Sequence, residues 1–250
     1  LASDLSPAEP PFLAVVIPAY NEEQDIRSTL DQVTRYLSAQ AYSWTVLVVD
    51  DGSTDATASI VETFASDQPH VELLSEPHGG KGAAVQAGML HTTARYRFLC
   101  DADLSMPIEQ LPRFLPPSLT DYDIALGSRE VAGARRFDEP RRRHIMGRLY
   151  NGITRTLAVP GVLDTQCGFK CFRGTVADRL FPLQRTAGFG FDVEILYLAR
   201  RIGLRLVEVP IDWYHRPHSK VRPLQDGFTM TADILRVRWN TWRGRYKGLT

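Results

Sequence analysis

The sequence predicts an α/β fold: a mainly parallel sheet with helices on both faces, built as a single domain with a C-terminal helical extension. Three observations predict it. Short apolar runs alternate with amphipathic stretches through the first half of the chain, as in repeated strand-helix-strand units. Polar and acidic residues recur just after those runs, where open parallel sheets collect their ligands. The chain has 250 residues, 44% of them hydrophobic and 23% charged, which is enough to bury a sizeable core.

The elements follow in order. FLAVVIPAY, WTVLVVDDGS, HVELLSEP, YRFLCDAD and DYDIALGS are short, rich in β-branched and aromatic residues, and bounded by Pro, Gly, Asp or Ser, which predicts strands. Between them, EEQDIRSTLDQVTRYLSAQ, TDATASIVETFASD and KGAAVQAGMLHTTA space their apolar residues by three and four, which predicts helices. After about residue 130 the alternation loosens. RRFDEPRRRHIMGR reads as a mobile basic loop leading into a helix through LYNGITRTLA, and DTQCGFKCFRG as a return to the sheet. FDVEILYLARRI has one apolar face and predicts a helix. RLVEVPIDWYHRP predicts one further strand, with Pro210 suited to an edge or a bulge. The tail GFTMTADILRVRWNTWRGRYKG is helical in period. No repeat or linker divides the chain, so the expected organisation is a disordered leader at 1–11, one domain at 12–225 and a basic amphipathic helix at 226–250.

Several classes are disfavoured. Basic and acidic residues balance at 29 each, which argues against nucleic acid as a partner. No apolar run approaches the roughly 18 to 20 residues that cross a bilayer. The start, LASDLSPAEPP, lacks the charged and apolar regions of a signal peptide, and Leu1 in place of Met suggests a trimmed chain. Cys100, Cys167 and Cys171 make an odd count without framework spacing, which predicts free thiols in a reducing, cytoplasmic compartment. CGFKC has no second Cys or His pair to complete a metal site.

The strand ends carry the chemistry: Pro18, Tyr20, Asn21 and Glu22 after the first, Asp50 and Asp51 after the second, Asp101 and Asp103 after the fourth, and Gly127, Ser128 and Arg129 after the fifth. DDGSTD can be a tight turn and helix cap, or a carboxylate that accepts hydrogen bonds from a base or ribose. GGKGAA has Ala83 where a phosphate loop needs a hydroxyl, so it is read as a flexible loop at a helix N-terminus whose one Lys can meet an anion. In an extended chain Asp101 and Asp103 lean the same way, and two carboxylates so close raise each other's pKa unless something positive lies between them. A divalent cation, Mg²⁺ or Mn²⁺, that also holds a diphosphate is the simplest candidate. Diverging acids, or a salt bridge plugging their cleft, would overturn this reading.

PAYNEE, VVDDGSTDAT, GGKGAA, DADLS, GSRE, DTQCGFKCF and FDVEILYLA occur in that order over roughly residues 12–225. This series resembles the family 2 inverting glycosyltransferases, which have the GT-A (Rossmann-like) fold. Within them the chain is most similar to dolichyl-phosphate and polyprenyl-phosphate glucosyl- and mannosyltransferases. The resemblance implies transfer of a hexose from a nucleotide diphosphate sugar, UDP-glucose first and GDP-mannose second, to polyprenyl or dolichyl phosphate. It implies that Pro18, Tyr20, Glu22 and Asp50 hold the nucleoside, with Asp51 supporting the turn and Lys81 near the nucleotide pocket. Asp101 and Asp103, with Ala102 between them, would take Mg²⁺ or Mn²⁺ on the diphosphate. Arg129 would lie near a donor or acceptor phosphate, and Gln166 belongs to the matching motif. Arg216, Ser219 and Lys220 match a basic segment that closes over the diphosphate, although His218 stands where the family has Gly.

A sugar hydroxyl acceptor needs a base, whereas a phosphate monoester, with a second pKa of about 6, already carries nucleophilic oxygens. Asp164 is read either as a base or acceptor-orienting group, or as a turn residue. A lipid acceptor also suits the tail: residues 216–250 contain eight Arg or Lys against two Asp, interleaved with Trp239, Trp242 and Tyr246. Such a helix can lie in a membrane interface, at the cytoplasmic face, or pack on the domain by its aromatic side. RRFDEPRRR can meet a lipid phosphate or be an exposed loop. The alternatives kept open are a soluble phosphorylated or glycan acceptor, and a non-catalytic nucleotide-sugar-binding module.

Overall fold

The computed structural model describes residues 9–138, 152, 154–216 and 223–248, with side chains from 229 onward in the last segment. Seven strands form one sheet: β1 (Leu13–Ala19), β2 (Trp44–Asp51), β3 (Val71–Glu76), β4 (Tyr96–Cys100), β5 (Ile124–Ser128), β7 (Phe169–Arg173) and β8 (Leu206–Pro210), in the order β3-β2-β1-β4-β7-β5-β8. All neighbours run parallel except β7, which is antiparallel to both β4 and β5. Two short strands, β6 (Arg135–Phe137) and β9 (Asp212–Tyr214), pair in a second sheet. The helices are α1 (Ile26–Ser38), α2 (Thr57–Asp67), α3 (Lys81–His91), α4 (Gly174–Leu180), α5 (Phe191–Arg201) and α6 (Pro223–Trp242), with 3-10 turns at Ile108–Phe114 and Phe181–Leu183.

Strand alternation divides the core in two. Leu13, Val15 and Ile17 of β1 point to one face, where they meet Ile26, Leu30, Val33 and Leu37 of α1 and Val61 and Phe64 of α2. Val16 points to the other, as do Leu47 and Val49 of β2, against Ala84, Val85 and Met89 of α3 and the α4, α5 and α6 residues Ala177, Leu196 and Ile234. Burying each such side chain is worth about 1.5–3 kcal/mol, and this two-sided burial makes β1 a continuous apolar run. The α1 residues recur at intervals of four, three and four, the stripe of a helix covering a sheet.

The sequence-predicted strands and helices of the first half are all present. Two segments differ beyond it. RLVEVPIDWYHRP is two strands, because Pro210 ends β8 at the sheet edge and the chain turns at Ile211 into β9. The first residues of the expected basic loop form β6, whose partner in sequence, β9, lies far ahead and gives no local signal; residues 139–151 lie outside those described. All three cysteines are free and buried. Burial pushes the Cys167 and Cys171 thiols up to about 12, which leaves them unreactive.

Candidate active site

Because β1, β2, β4 and β5 run parallel, their carboxyl ends share one rim, and antiparallel β7 brings its N-terminal end to the same place. The residues after β1 and β2 are knitted together. Asn21, in the left-handed region at φ 54°, donates its N–H to Ser53 Oγ at 2.9 Å, Glu22 N–H reaches Thr57 Oγ1 at 2.7 Å, and Thr54 N–H reaches Asn21 Oδ1 at 2.8 Å. The Tyr20 ring stacks on His78, with centroids 4.3 Å apart. Pro18 lies within β1 opposite Val49, half-buried below this platform.

The two adjacent acids of β2 have different surroundings. Asp51 is consumed by the glycine loop: its carboxylate accepts the N–H groups of Gly79 at 2.7 Å and Gly80 at 3.0 Å and meets His78 Nδ1 at 2.9 Å. These contacts leave Asp51 turned to the loop. Asp50 is 4% exposed; its Oδ2 accepts Ser53 N–H at 3.1 Å, while its buried Oδ1 has no hydrogen-bond partner. A buried carboxylate oxygen without a donor is costly, and Asp50 Oδ1 is such an oxygen.

Across β1, the turn after β4 holds Asp101, Ala102 and Asp103. Thr29 Oγ1 of α1 donates to the buried Ala102 carbonyl at 2.5 Å, Leu104 takes the left-handed conformation at φ 44°, and Asp103 accepts Ser105 N–H at 2.9 Å. Asp101 N–H donates to Gly168 O at 3.1 Å, and its carboxylate lies so close to Gly168 that a Cβ there would fall 1.8 Å from Asp101 Oδ2. Only glycine fits. Burial and then the Asp101 charge push Asp103 above the usual carboxylate range, against the Ser105 hydrogen bonds and Lys81.

A cation alone between these acids, the sequence-based expectation, is corrected by the structure: an ion pair occupies the Asp101 side of the cleft. Lys81, the first residue of α3, places its Nζ 2.6 Å from Asp101 Oδ1. Burial alone would lower the Lys81 ammonium; Asp101, Asp192 and Asp103 outweigh it and hold it above its ordinary value. Two half-buried carboxylates repel, and the lysine beginning the neighbouring helix is the nearest counter-charge. A cation bound at Asp101 must therefore compete with Lys81. Among the described residues no group of three or more His, Cys, Asp or Glu is arranged around a metal position. The donor set of two carboxylates nonetheless fits a hard cation that takes its remaining ligands from phosphate and water.

On the far side of β7, Asp164 is fully buried beneath Arg129. Arg129 donates through Nε at 2.7 Å, Nη2 at 2.9 Å and its backbone N–H at 3.0 Å, and its guanidinium lies 5.6 Å from the Trp213 ring centroid. Glu208 of β8 fixes the turn below by accepting Leu163 and Asp164 N–H at 2.8 and 3.0 Å. Burial alone would raise Asp164; the Arg129 charge and hydrogen bonds prevail and hold it at about 2. Gln166 next to it has a buried Nε2 with no hydrogen-bond partner. Arg216 is exposed, and Ser219 and Lys220 lie outside the described residues.

Sequence reasoning passed over the support of this rim. Lys170, 1% exposed in β7, pairs with Asp192 of α5 at 2.7 Å and donates to Cys167 O. Burial raises Asp192, and both Lys170 and Lys81 act against that, so charges alternate from Asp101 through Lys81 and Asp192 to Lys170. The signal was charge inside apolar runs, Lys170 in FKCF and Asp192 with Glu194 in FDVEILYLA. Of the two arrangements open for the tail, packing on the domain by its tryptophans is not found. Helix α6 turns Met230, Ile234 and Val237 inward, while Trp239 and Trp242 face solvent and Tyr246 alone of the three aromatics is buried. No helix among the described residues is long and apolar enough to cross a membrane.

Comparison with known proteins agrees with this geometry. The pattern of "Glycosyl transferase family 2" matches residues 14–181. A dolichyl-phosphate beta-glucosyltransferase of Dictyostelium discoideum is 32% identical over 99% of this chain and 80% of its own, and the Homo sapiens protein of that name is 30% identical over 94% and 77%. Among solved structures, glucosyl-3-phosphoglycerate synthase from Mycobacterium tuberculosis in complex with UDP superimposes with a TM-score of 0.64 at 22% identity, over 91% of this chain and 78% of that one. The same enzyme with Mn²⁺, UDP-glucose and phosphoglyceric acid superimposes with a TM-score of 0.64 at 20% identity, over 91% and 78%. The fold is thus GT-A-like, and this chain, a glycosyltransferase, belongs to glycosyl transferase family 2.

Proposed function

We propose that this protein transfers glucose from UDP-glucose to dolichyl phosphate, with inversion at the anomeric carbon. The observation that carries the reading is the rim itself, where the unpartnered Asp50 oxygen and the Asp101, Asp103 and Lys81 cluster flank β1 on either side. One end suits a nucleoside and the other a diphosphate. The names of the relatives supply the acceptor and the sugar.

On this reading the nucleoside lies by the Tyr20 and His78 rings with Pro18 and Glu22 at its edge, and Asp50 Oδ1 accepts its hydrogen bonds. Lys81 releases Asp101 and neutralises a diphosphate oxygen. Asp101 and Asp103 would hold Mg²⁺ or Mn²⁺, which when bound would lower the cost of expelling the diphosphate. An oxygen of the acceptor phosphate forms the new bond to the anomeric carbon while the carbon–oxygen bond to the diphosphate breaks, and UDP departs with that electron pair. A phosphate dianion has no proton to lose, so no base is needed. Asp164 is therefore assigned a positioning role: it is buried, ionised and committed to Arg129, and it orients that guanidinium toward phosphate. Gln166, Arg216, Ser219 and Lys220 are assigned to the same anionic substrates. Since dolichyl phosphate is carried in a membrane, the protein works peripherally at a membrane surface, on the cytoplasmic face.

The test is incubation with labelled UDP-glucose, dolichyl phosphate and Mn²⁺, followed by organic extraction. Label in the organic phase supports the proposal, and transfer from GDP-mannose in preference would replace the donor. Label confined to an aqueous product would favour a soluble phosphorylated acceptor, the class of ligand present in the structural neighbour with phosphoglyceric acid.

A further inference from the structure

A cavity of about 710 Å³ opens between the 3-10 turn Phe181–Leu183 and the turn that follows α6, and Gln184 of its lining donates to Gly82 O at 2.8 Å, one residue from Lys81. Four cationic residues line it: Arg185, Arg243, Arg245 and Lys247. None of the four has a carboxylate at ion-pair distance among the described residues. In a chain with equal numbers of acids and bases, four cations gathered around one opening without a contact ion pair leave a local excess of positive charge. The walls are built rather than loose. Arg185 donates through Nη2 to Arg245 O at 2.8 Å and lies 5.8 Å from the Tyr246 ring centroid, and Arg245 Nη1 reaches Asn240 Oδ1 at 3.3 Å. Buried Glu194 ties both walls together, accepting Thr186 N–H at 2.7 Å from one and Tyr246 O–H at 2.6 Å from the other.

The cavity adjoins an apolar surface. Leu235, Trp239 and Trp242 are 57%, 49% and 76% exposed, and their spacing of four and three puts them on one helix face. Trp239 and Trp242 lie 5.0 Å apart, and Arg243 of the cavity stands 4.6 Å from the Trp239 ring centroid. Exposed tryptophans beside unpaired arginines match the boundary between headgroups and acyl chains, where an indole has both an apolar and a polar neighbour.

We propose that the C-terminal end of α6 is the membrane-docking surface: the cavity takes the phosphate of an anionic lipid headgroup, and Trp239 and Trp242 sink into the interfacial layer beside it. This rests on the reading above that the acceptor is carried in a membrane, and it names the surface that meets that membrane.

The test is flotation of the full chain with phosphatidylcholine vesicles, with and without phosphatidylserine, for wild type and an R243Q/K247Q variant. Both residues are exposed, so an unchanged melting temperature is expected and shows that the variant folds. The expected result is preferential binding of wild type to the anionic vesicles and a loss of about thirty-fold in the variant, at about 1 kcal/mol for each cation near the surface. Equal flotation of wild type and variant, or no preference of wild type for anionic vesicles, would overturn the proposal. So would stabilisation of wild type but not the variant by inorganic phosphate without vesicle binding, since the cavity would then serve a soluble anion. Glucosyl transfer to detergent-dispersed dolichyl phosphate separates the two readings. It persists in the variant if only docking is affected, and it is absent from wild type if the proposed function itself is wrong.

Discussion

Replacing Asp164 by Asn takes away the carboxylate that pairs with Arg129 while keeping its shape. The side chain of Asp164 is fully buried and that of Arg129 is 17% exposed, so solvent compensates little for the lost charge. A carboxyl held at about 2 against an ordinary 3.8 is stabilised by its surroundings on the order of 2 kcal/mol. Removing one member of a buried ion pair costs about 3–5 kcal/mol, so a loss of about 3 kcal/mol, the low end, is expected for D164N. Urea unfolding followed by far-UV circular dichroism measures it as a lower midpoint at unchanged slope, and a chain of this size should melt about 6–12 °C earlier. The pH dependence has a definite sign. A depressed carboxyl stabilises the fold above its unfolded pKa, and that contribution fades as pH falls from about 4 toward 2 in wild type and is missing in D164N. A loss below about 1 kcal/mol, or an unchanged acid transition, would refute the account of this pair.

Other outcomes follow from the same rim. Asp103→Ala should abolish transfer and leave the melting temperature within a few degrees, and chelation should do likewise in wild type with recovery on adding Mn²⁺; full activity in chelator would remove the metal from the proposal. Asp50→Asn should weaken UDP-glucose binding by calorimetry by about tenfold or more, since the acceptor prepared for the nucleoside becomes partly a donor; unaltered affinity would move the nucleoside elsewhere. Gly168→Ala should displace Asp101 and cost most of the activity, because the new methyl would overlap its carboxylate; near-normal kcat/KM would show that Asp101 is free to move.

The sheet was legible because β1, β2 and β4 are buried on both faces and so leave uninterrupted apolar runs. The rim was legible for a related reason, since Asp50, Asp101 and Arg129 each stand where such a run stops. Pairings across long separations were not. Nothing near Arg135 announces that it pairs with Asp212, or that β6 joins β9. The Lys81 and Asp101 ion pair was missed for the same cause: GGKGAA and DAD were each read as waiting for a ligand, and only the packing of α3 over β1 and β2, which brings Lys81 to the turn after β4, shows that they satisfy one another. The direction of the tail was hidden because Trp239 and Ile234 have similar apolar character in sequence, and which of them faces inward is decided by the partner surface on α5.

The most direct measurement is the anomeric configuration of the glucosyl phosphate formed from UDP-glucose, read from the proton coupling constants of the lipid product. A single displacement by the acceptor phosphate predicts β-linked glucose on dolichyl phosphate. An α-linked product, or glucose released only to water, would contradict it.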